Sequence, residues 1–315
     1  MDVRQLRYFV KIAECGSFSR AAVELNVAQP ALSQHVANVE AELGVKLLSR
    51  STKGVSLTEC GETLLGHAEA ILRQMDNAAR AVRNQADDPS GTVSVGLPSS
   101  VSLVMAVPLL MEVERRFPSI HLQIIENHSG YLLEWVKAGR VDLAVVFDAE
   151  DTPSLHLRPV MSEDLYFVRP KEAGRIYPEV IAFKELSRYP LVLTGTAHGL
   201  RKLVERGSAQ TGTDLTIKTE LDALSAIKDV VASGFGYSIL PWPAVRRECE
   251  AGLLQAQRVV DPAIRRKVQL ATSGDWPAML ASVRVSKLIR ELMTDLVEKD
   301  HWRATLHEGS QAKPA

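Results

Sequence analysis

Apolar residues recur at helical spacing in two consecutive stretches near the start of the chain. The first set is Phe18, Ala21, Ala22 and Leu25, and the second is Leu32, Val36, Val39 and Leu43. Ser17 is suited to cap the first helix, Asn26 to end it, and Pro30 to stand in the first turn of the second. The pattern therefore predicts two helices joined by a tight turn.

The predicted second helix has an outer face of short, uncharged side chains, opposite its apolar positions. These side chains are Pro30, Ser33, Gln34 and Ala37. A solvated helix face usually carries Lys and Glu, whereas Gln can bond adenine through two hydrogen bonds and Ser can contact a base or a phosphate. The face is therefore typical of a recognition helix in a DNA major groove. A plain helical hairpin with small surface residues is the alternative.

The flanking segments fit a small DNA-binding domain. Asp2 and Gln5 predict a capping box at the start of a supporting helix that ends before Gly16. Residues 45–58 are rich in Ser, Thr and Gly and end in an alternating Val-Ser-Leu, which predicts a two-stranded wing. Arg50 and Lys53 in this wing would meet the phosphate backbone or the minor groove. A solvated surface loop is the alternative.

A long helix is predicted from Thr58 to about Asp87. Its apolar positions are spaced 3, 4, 3, 4 and 3 residues apart, as in a coiled-coil seam: Leu65, Ala68, Leu72, Met75, Ala79 and Val82. Helices in proteins are stabilised mainly by packing, so the seam predicts dimerisation. Packing of the seam against its own domain is the alternative.

Beyond an acidic, Pro- and Gly-containing linker at 87–91, predicted strands alternate with predicted helices. The stretch LAVVF (143–147) is apolar without alternation, as in a parallel strand covered on both faces. Ligands of such sheets bind beyond the carboxyl ends of strands. Hydroxyl-bearing turns and nearby basic residues at those points predict a site for a small anion, formed by Ser99, Ser100, Ser129, Thr194, His198 and Arg201. Ordinary helix capping explains each residue equally well.

The N-terminal 86 residues resemble the DNA-binding domain of LysR-type transcriptional regulators. The resemblance lies in LRYFVKIAECGSFSRAA, QPALSQHVANVEAELG, LLSR and VSLTECG. It departs from the family at Leu48, usually Phe, and at Ala28, often Ser. With the outer face and the wing it gives the predicted DNA contacts: Ala28, Gln29, Pro30, Ser33, Gln34, Arg50 and Lys53. PALSQHV, GTVSVGLPSS and EDLYFV resemble the nitrogen-assimilation-control subgroup.

The resemblance extends, through VDLAVV and GFGYSILP, to a C-terminal effector-binding region. It implies a multi-domain α+β chain with a winged helix-turn-helix (1–58), a linker helix and hinge (59–91) and a two-lobed α/β effector domain of periplasmic-binding-protein type (92–302). Lobe I would comprise 92–162 and 269–302, and lobe II 163–268, before a flexible tail (303–315). The resemblance also implies a homotetramer built as a dimer of dimers, and names RNA polymerase as a candidate partner.

Composition and motifs limit the possible classes of function but do not identify an effector. The 315 residues carry a net charge of −1, so affinity for double-stranded DNA must come from placement of charge. No signal peptide or apolar run of membrane-spanning length is present, which predicts a cytoplasmic protein that binds no membrane. The motifs GxSxG, HExxH and Walker A are absent, and the three cysteines have no metal spacing, so no enzyme activity, metal or cofactor is expected.

We therefore expect a transcription regulator that responds to a small effector, with a small carboxylate as the expected class. Cys60 lies near a predicted helix start, where the thiol pKa can fall, although simple packing is the commoner role of a cysteine. A ligand-independent regulator or architectural DNA protein remains open, as does a transporter's solute-binding protein. Residues 1–86 argue against the last of these.

Overall fold

A computed structural model describes residues 1–51, 54–83, 89–275 and 279–307. The chain divides into two compact units. One comprises Met1–Asp88 with the short segment Ala138–Val141, and the other comprises Pro89–Lys137 with Asp142–Ala315. The division falls inside the predicted linker and hinge (59–91). No helix in the described ranges is long and apolar enough to cross a membrane.

The N-terminal unit is a winged helix-turn-helix followed by a long helix. Its elements are α1 (Val3–Cys15), α2 (Phe18–Leu25), α3 (Gln29–Leu43), β1 (Leu48–Ser51), β2 (Gly54–Leu57) and α4 (Glu59–Arg83). The strands β1 and β2 pair antiparallel, with Leu48 opposite Leu57, which confirms the predicted wing. The continuation of α4 toward Asp87 lies outside the described residues.

The predicted helix caps are confirmed. The Asp2 side chain accepts from the backbone N–H of Gln5, and the Gln5 side chain accepts from the N–H of Asp2. Ser17 accepts from the N–H of Arg20 at the start of α2. Asn26 ends α2 with φ 54°, in the left-handed region that Asn tolerates. The turn of the helix-turn-helix is therefore specified by local hydrogen bonding.

The core of this unit uses the predicted apolar positions with one exception. Phe18 and Ala21 of α2 and Leu32, Val36 and Val39 of α3 are buried together with Phe9 and Ile12 of α1. Leu43, expected on the same face, remains 43% exposed. It stands on the last turn of α3 before the left-handed Gly44, where the helix has reached the edge of this core.

The second unit begins with alternating strands and helices. These are β3 (Gly91–Leu97), α5 (Ser99–Arg116), β4 (Ile120–Glu126), α6 (Ser129–Lys137) and β5 (Leu143–Phe147). Strands β4, β3 and β5 lie side by side in parallel, so their carboxyl ends meet at one edge. Four of the five residues of β5 are buried, as its continuous apolar sequence predicts. The elements of this parallel sheet agree with the predicted α/β layer.

The remaining elements complete two lobes. They are β6 (Leu155–Pro170), β7 (Val180–Ala182), a 3₁₀ helix (Phe183–Arg188), β8 (Leu191–Leu193), α7 (Gly199–Thr211), β9 (Ile217–Glu220), α8 (Leu224–Ala232), β10 (Ser238–Pro241), α9 (Trp242–Glu250), β11 (Leu254–Val260), β12 (Arg265–Ser273), α10 (Leu280–Glu298) and β13 (Ala304–Leu306). Separate apolar cores define lobe I, from Val93 to Met161 and Val268 to Trp302, and lobe II, from Leu165 to Ile264.

Two long antiparallel strands connect the lobes. Strand β6 runs from the lobe I core into the lobe II core, and β12 returns beside it. At the crossing, Glu163 lies opposite Arg266 and Asp164 lies opposite Arg265. The change from one core to the other therefore lies between Met161 and Leu165 and again between Ile264 and Val268, although the sequence pattern indicated only Leu165–Val168 of β6.

The end of the described chain differs from the sequence-based expectation. The predicted flexible tail begins at 303, but Ala304–Leu306 pair with Met161–Glu163 of β6 as an edge strand. Trp302, two residues before the start of this strand, is fully buried in the lobe I core. The prediction of a flexible segment is wrong for these residues. The polar residues on either side of Trp302 suggested an exposed tail, although the indole is buried. The predicted helix start at Pro277 lies outside the described residues, and α10 begins at Leu280.

Candidate DNA-binding and effector-binding sites

The outer face of α3 is open to solvent. Pro30, Gln34 and Ala37 are exposed and Ser33 is half-buried, whereas Leu32 and Val36 point into the core. The Gln34 amide Nε2 donates to Oδ1 of Asn38 at 2.8 Å, one turn further along the helix. This bond uses one of two amide N–H groups and leaves the other, with the carbonyl oxygen Oε1, available to a base edge.

The first turn of α3 lacks a side-chain cap. Ala28 occupies the N-cap position without a capping hydrogen bond, and Pro30 stands in the first turn, where its missing N–H costs nothing. Ala28 and Gln29 are exposed, and Gln29 Nε2 donates to the Ser33 hydroxyl at 3.1 Å. The free N–H groups at this end of the helix can therefore donate to a phosphate oxygen.

The wing contacts predicted from sequence are only partly described. Arg50 lies in β1 opposite Val55 of β2, while the position of its side chain is outside the described part. Lys53 lies outside the described residues. Gly54 has φ 122° and approaches Gly16 so closely that a Cβ would stand 2.8 Å from the Gly16 carbonyl oxygen. The base of the wing therefore requires glycine and is fixed against the end of α1.

The six positions of the predicted seam have different environments along α4. Leu65 packs against the helix-turn-helix core and Ala68 is fully buried. Leu72 is half-buried, Met75 is 44% exposed and Ala79 is exposed. The side chain of Val82 is outside the described part. Packing within its own domain thus accounts for the first part of the seam, and the second part presents apolar side chains to solvent.

A cleft of about 420 Å³ opens between lobes I and II. It is lined from lobe I by Ser99 and Leu103 of α5 and by the three residues Glu126, Asn127 and His128, and from lobe II by residues 222–225 and Lys228. The Lys228 ammonium is paired with Glu248. The lining also contains the carboxylates of Glu126 and Asp222, and Asp222 accepts from the N–H of Gly195 at 2.9 Å.

The predicted serines of lobe I have distinct roles. Ser99 lines the cleft at the start of α5. Ser100 is buried, and its hydroxyl accepts from Arg266 Nη2 at 3.2 Å. Ser129 opens α6, and its hydroxyl accepts from the backbone N–H of Phe147 at 2.9 Å. Ser99 is thus the serine most available to a ligand, whereas the hydroxyls of Ser100 and Ser129 make hydrogen bonds within the protein.

The predicted residues of lobe II are also unequal. The Thr194 hydroxyl is buried and has no hydrogen-bond partner within the described residues. His198 caps α7 by accepting at Nδ1 from the N–H of Leu200 at 3.0 Å. Arg201 donates to Glu205 at 2.8 Å, to Glu220 at 2.9 Å and to the Thr194 carbonyl at 3.3 Å. Because two carboxylates already neutralise Arg201, the predicted binding of an anion by Arg201 is disfavoured.

The His198 ring connects the lobes. It meets the ring of His128 edge to face, with centroids 4.9 Å apart. Burial lowers the pKa of His198 to about 4, helped by the nearby charges of His128 and Arg266. His198 is therefore neutral at pH 7 and serves as a hydrogen-bonding group of the cleft wall.

A buried ionic cluster lies at the lobe crossing and was not predicted from the sequence. Arg266 Nε donates to Glu163 Oε1 at 2.7 Å, and Trp302 Nε1 donates to Glu163 Oε2 at 2.7 Å. The guanidinium carbon of Arg266 lies 3.5 Å from the centroid of the Phe147 ring. The sequence contained one signal for this cluster, namely the charged residues of EDLYFV and RRKVQL, each next to an apolar strand run. Only the register of the two strands shows that these charged residues lie together.

The cysteines occupy ordinary positions. Cys15 is buried, Cys60 is exposed on the first turn of α4, and Cys249 is half-buried. Burial raises the pKa of the Cys15 thiol, and it raises the pKa of Cys249 to about 11, so both are protonated at neutral pH. Among the described residues, no three His, Cys, Asp or Glu side chains are grouped to hold a metal ion.

Two family models match the two parts of the chain. Residues 3–62 match the bacterial regulatory helix-turn-helix protein, lysR family, and residues 86–293 match the LysR substrate binding domain. The nitrogen assimilation regulatory protein nac of Escherichia coli K12 is 31% identical, over 96% of this chain and 99% of that protein. The HTH-type transcriptional regulator BbuR of Bordetella bronchiseptica is 32% identical, over 87% of this chain and 85% of that protein.

Solved structures agree with this assignment. A full-length OxyR variant from Pseudomonas aeruginosa superposes with a TM-score of 0.68 at 26% identity, covering 93% of this chain and 97% of that one. Full-length CbnR in complex with its target DNA gives 0.67 at 20% identity, covering 93% and 100%, a likeness of fold. Together with the solvent-facing helix α3 and the two-lobed domain, these matches identify the chain as a DNA-binding transcriptional regulator of the LysR family with an effector-binding domain.

Proposed function

We propose that this regulator binds double-stranded DNA as paired half-sites, with the outer face of α3 in the major groove. The observation that carries the proposal is the exposed, uncharged face of Pro30, Gln34 and Ala37, opposite a face buried in the core. The Gln34 amide, fixed through Asn38, offers a donor and an acceptor to adenine. Arg50 and Lys53 contact the phosphate backbone beside the groove.

Pairing of half-sites requires an oligomer, for which two surfaces are available. The exposed part of the α4 seam, centred on Leu72, Met75 and Ala79, forms the dimer. A second apolar face lies on α5, where Val107 is 62% and Met111 67% exposed. Contiguous exposed apolar side chains of this kind mark protein interfaces. A second copy on the α5 face would turn dimers into the tetramer implied by family resemblance.

The effector is a small carboxylate held between the lobes. Ser99 lines the cleft, the N-terminus of α5 supplies a positive field, and Thr194 has a buried hydroxyl without a partner in the described residues. The carboxylates of Glu126 and Asp222 in the cleft lining repel a second negative charge on the ligand. We therefore expect monocarboxylates to bind better than dicarboxylates of similar size.

Binding alters the arrangement of the DNA-binding domains, and through them the access of RNA polymerase to the promoter. A ligand shifts such an equilibrium only by its difference in affinity between the two arrangements, commonly about 1–3 kcal/mol. The response should therefore be a changed footprint or DNA bend rather than complete loss of binding. The response involves no covalent chemistry, and the protein works in the cytoplasm beside its DNA.

Genome-wide mapping of the bound DNA, followed by footprinting with and without metabolites, tests the proposal. A palindromic site near the protein's own operon, with a footprint that a carboxylate changes, is expected. Specific binding that no metabolite affects would favour a ligand-independent regulator. Binding without sequence preference would favour an architectural protein and contradict base recognition by Gln34.

A further inference from the structure

Arg266 occupies a central position at the ligand-binding edge of lobe I. Its Nη2 donates to the hydroxyl of Ser100, which stands in the first turn of α5 just beyond the end of β3. Its guanidinium lies 3.5 Å from the ring centroid of Phe147, the last residue of β5. The carboxyl ends of parallel strands are where open α/β sheets bind ligands. Arg266 is not itself one of the residues that line the cleft, but it donates to Ser100, whose neighbour Ser99 does line it.

The guanidinium retains donor capacity. Nε donates to Glu163 Oε1 at 2.7 Å, and Nη2 lies 2.6 Å from the same oxygen. Among the described residues, Nη1 makes no hydrogen bond. It is also not one of the buried side-chain atoms that lack a partner, so it keeps some access to solvent. A planar guanidinium held on one edge by a carboxylate still offers N–H groups of its other edge to an anion.

Two other cations of lobe II are paired with carboxylates. Arg201 is bonded to Glu205 and Glu220, and Lys228 is paired with Glu248. His198 carries no charge at neutral pH, because burial depresses its pKa. Among the described residues, Arg266 has one carboxylate partner, Glu163, which it contacts through Nε and Nη2, so the donor left for a ligand beside Ser100 is Nη1.

The orientation of Arg266 depends on the C-terminal segment. Glu163 is 1% exposed, and its second oxygen accepts from Nε1 of Trp302 at 2.7 Å. Trp302 is fully buried, and the strand β13 that follows it pairs with residues Met161–Glu163 of β6. The carboxylate is thus fixed at both oxygens, and the guanidinium that it holds has one preferred direction.

We propose that Arg266 binds the carboxylate group of the effector, and that Glu163 and Trp302 are its positioning residues. The proposal rests on the effector site between the lobes and names the cation that makes this site selective for carboxylates. Arg266 donates through Nη1, Ser99 contributes its hydroxyl, and the α5 N-terminus adds its partial positive charge. Ser100 acts indirectly, by accepting from the guanidinium.

Binding of simple carboxylates to the full-length protein tests the proposal. Formate, acetate, propionate and benzoate are titrated at constant ionic strength, with acetamide and benzamide as neutral counterparts, and melting temperature and calorimetric heat are measured. The acids should stabilise the parent protein, and the amides should not. Arg266→Lys keeps the charge but loses the planar fork, so affinity should fall about tenfold or more.

Trp302→Phe removes only the indole N–H donor to Glu163 and should weaken the acids by about threefold, because its effect reaches the ligand only through Glu163 and Arg266. Trp242→Phe is the matched control, because it removes an indole N–H that donates to the Asp300 carbonyl at 3.2 Å, away from Glu163. Its acid affinity should equal that of the parent. In the parent, one ¹⁵N-indole resonance, assigned to Trp302 by its loss in Trp302→Phe, should shift when acetate binds.

Three outcomes would overturn the inference. They are acids that bind Arg266→Lys as tightly as the parent, an indole shift absent at saturating acid, and failure of every acid to bind the parent. Should Arg266→Lys unfold, the double variant Glu163→Gln/Arg266→Met, which leaves no buried charge, must fold and lose acid binding. Operator binding without acid is measured in parallel, so failure of DNA recognition is distinguished from failure at Arg266.

Discussion

Replacing Gln34 with Ala should relax base preference at one position in each half-site. The Gln34 side chain is exposed on α3, and its Nε2 is already bonded to Asn38 Oδ1 at 2.8 Å. The remaining N–H and the carbonyl oxygen match the N7 acceptor and N6 donor of adenine. Because Ala lacks both groups, the variant should accept other base pairs at this position without changing the fold of α3.

The expected magnitude follows from the two hydrogen bonds that the amide can make to the base. A bidentate contact between an amide and adenine contributes about 1–3 kcal/mol of discrimination. A dimer on two half-sites should therefore lose about 2–6 kcal/mol, since well-separated base contacts are roughly additive. Asn38→Ala leaves the amide in place and removes only its orientation, so it should cost less, about 0.5–1.5 kcal/mol per half-site, as for one neutral hydrogen bond.

Selection of bound sequences from a randomised duplex measures the base preference, and titration at fixed salt measures affinity. Gln123→Ala provides a matched control, because Gln123 is a glutamine on β4 of the other unit. It should select the same sequences as the parent with the same affinity. Circular dichroism of each variant checks that the helices remain intact.

Base recognition by Gln34 would be ruled out if Gln34→Ala selected the parental sequence with unchanged information at every position. Uniform weakening across all sequences would also contradict it, since that behaviour is typical of a phosphate contact. Loss of preference at the same position in Asn38→Ala, by a smaller amount, would support the proposed orientation of the amide.

Four further predictions concern the wing, the oligomer and the cleft. Lys53→Ala should weaken all DNA sequences alike and reduce the salt slope by about one unit for each phosphate that is no longer bound, so an unchanged slope would place the wing away from DNA. Leu72→Asp should give monomers in sedimentation and weaken operator binding by about 10²-fold or more, because paired half-sites are no longer joined; parental sedimentation would locate the dimer interface elsewhere. Ser99→Ala should lose the effector response and keep basal DNA binding, whereas loss of both would assign Ser99 to the fold. The pKa of His198 falls from 6.5 to about 4 on folding, so the unfolded chain binds more protons in this window. The free energy of unfolding should therefore rise with pH between about 4 and 6.5, with a smaller rise in His198→Gln.

Local chemistry made the N-terminal domain predictable. The capping pair of Asp2 and Gln5, the cap at Ser17 and the left-handed Asn26 act within a few residues of themselves. Periodicity then assigned buried and exposed faces, because a helix of known phase needs one apolar side. Leu43 departed from the pattern because burial at a helix end depends on where the neighbouring element stops.

The effector domain was predictable in its alternation and much less so in its site. Strands such as Leu143–Phe147 are recognised by their apolar runs, whereas the 16 residues of β6 mix charged and apolar positions as the strand passes from one core to the other. Arg266 and Ser100 are separated by 166 positions in sequence, and Trp302 and Glu163 by 139. No spacing rule relates such residues, since the packing of strands and helices distant in sequence brings them together.

The discontinuity of lobe I has a consequence for how the protein is made. The core of this lobe joins Val93–Met161 to Val268–Trp302, while the core of lobe II lies entirely between. At about 5–20 residues per second, a ribosome needs roughly 7–30 s to advance from residue 161 to residue 302. During that interval the DNA-binding domain and lobe II can fold, but the parallel sheet of lobe I has an uncovered apolar face. The nascent chain should therefore depend most on chaperones in this period, and ribosome stalling between α9 and α10 should cause more aggregation than stalling within α4.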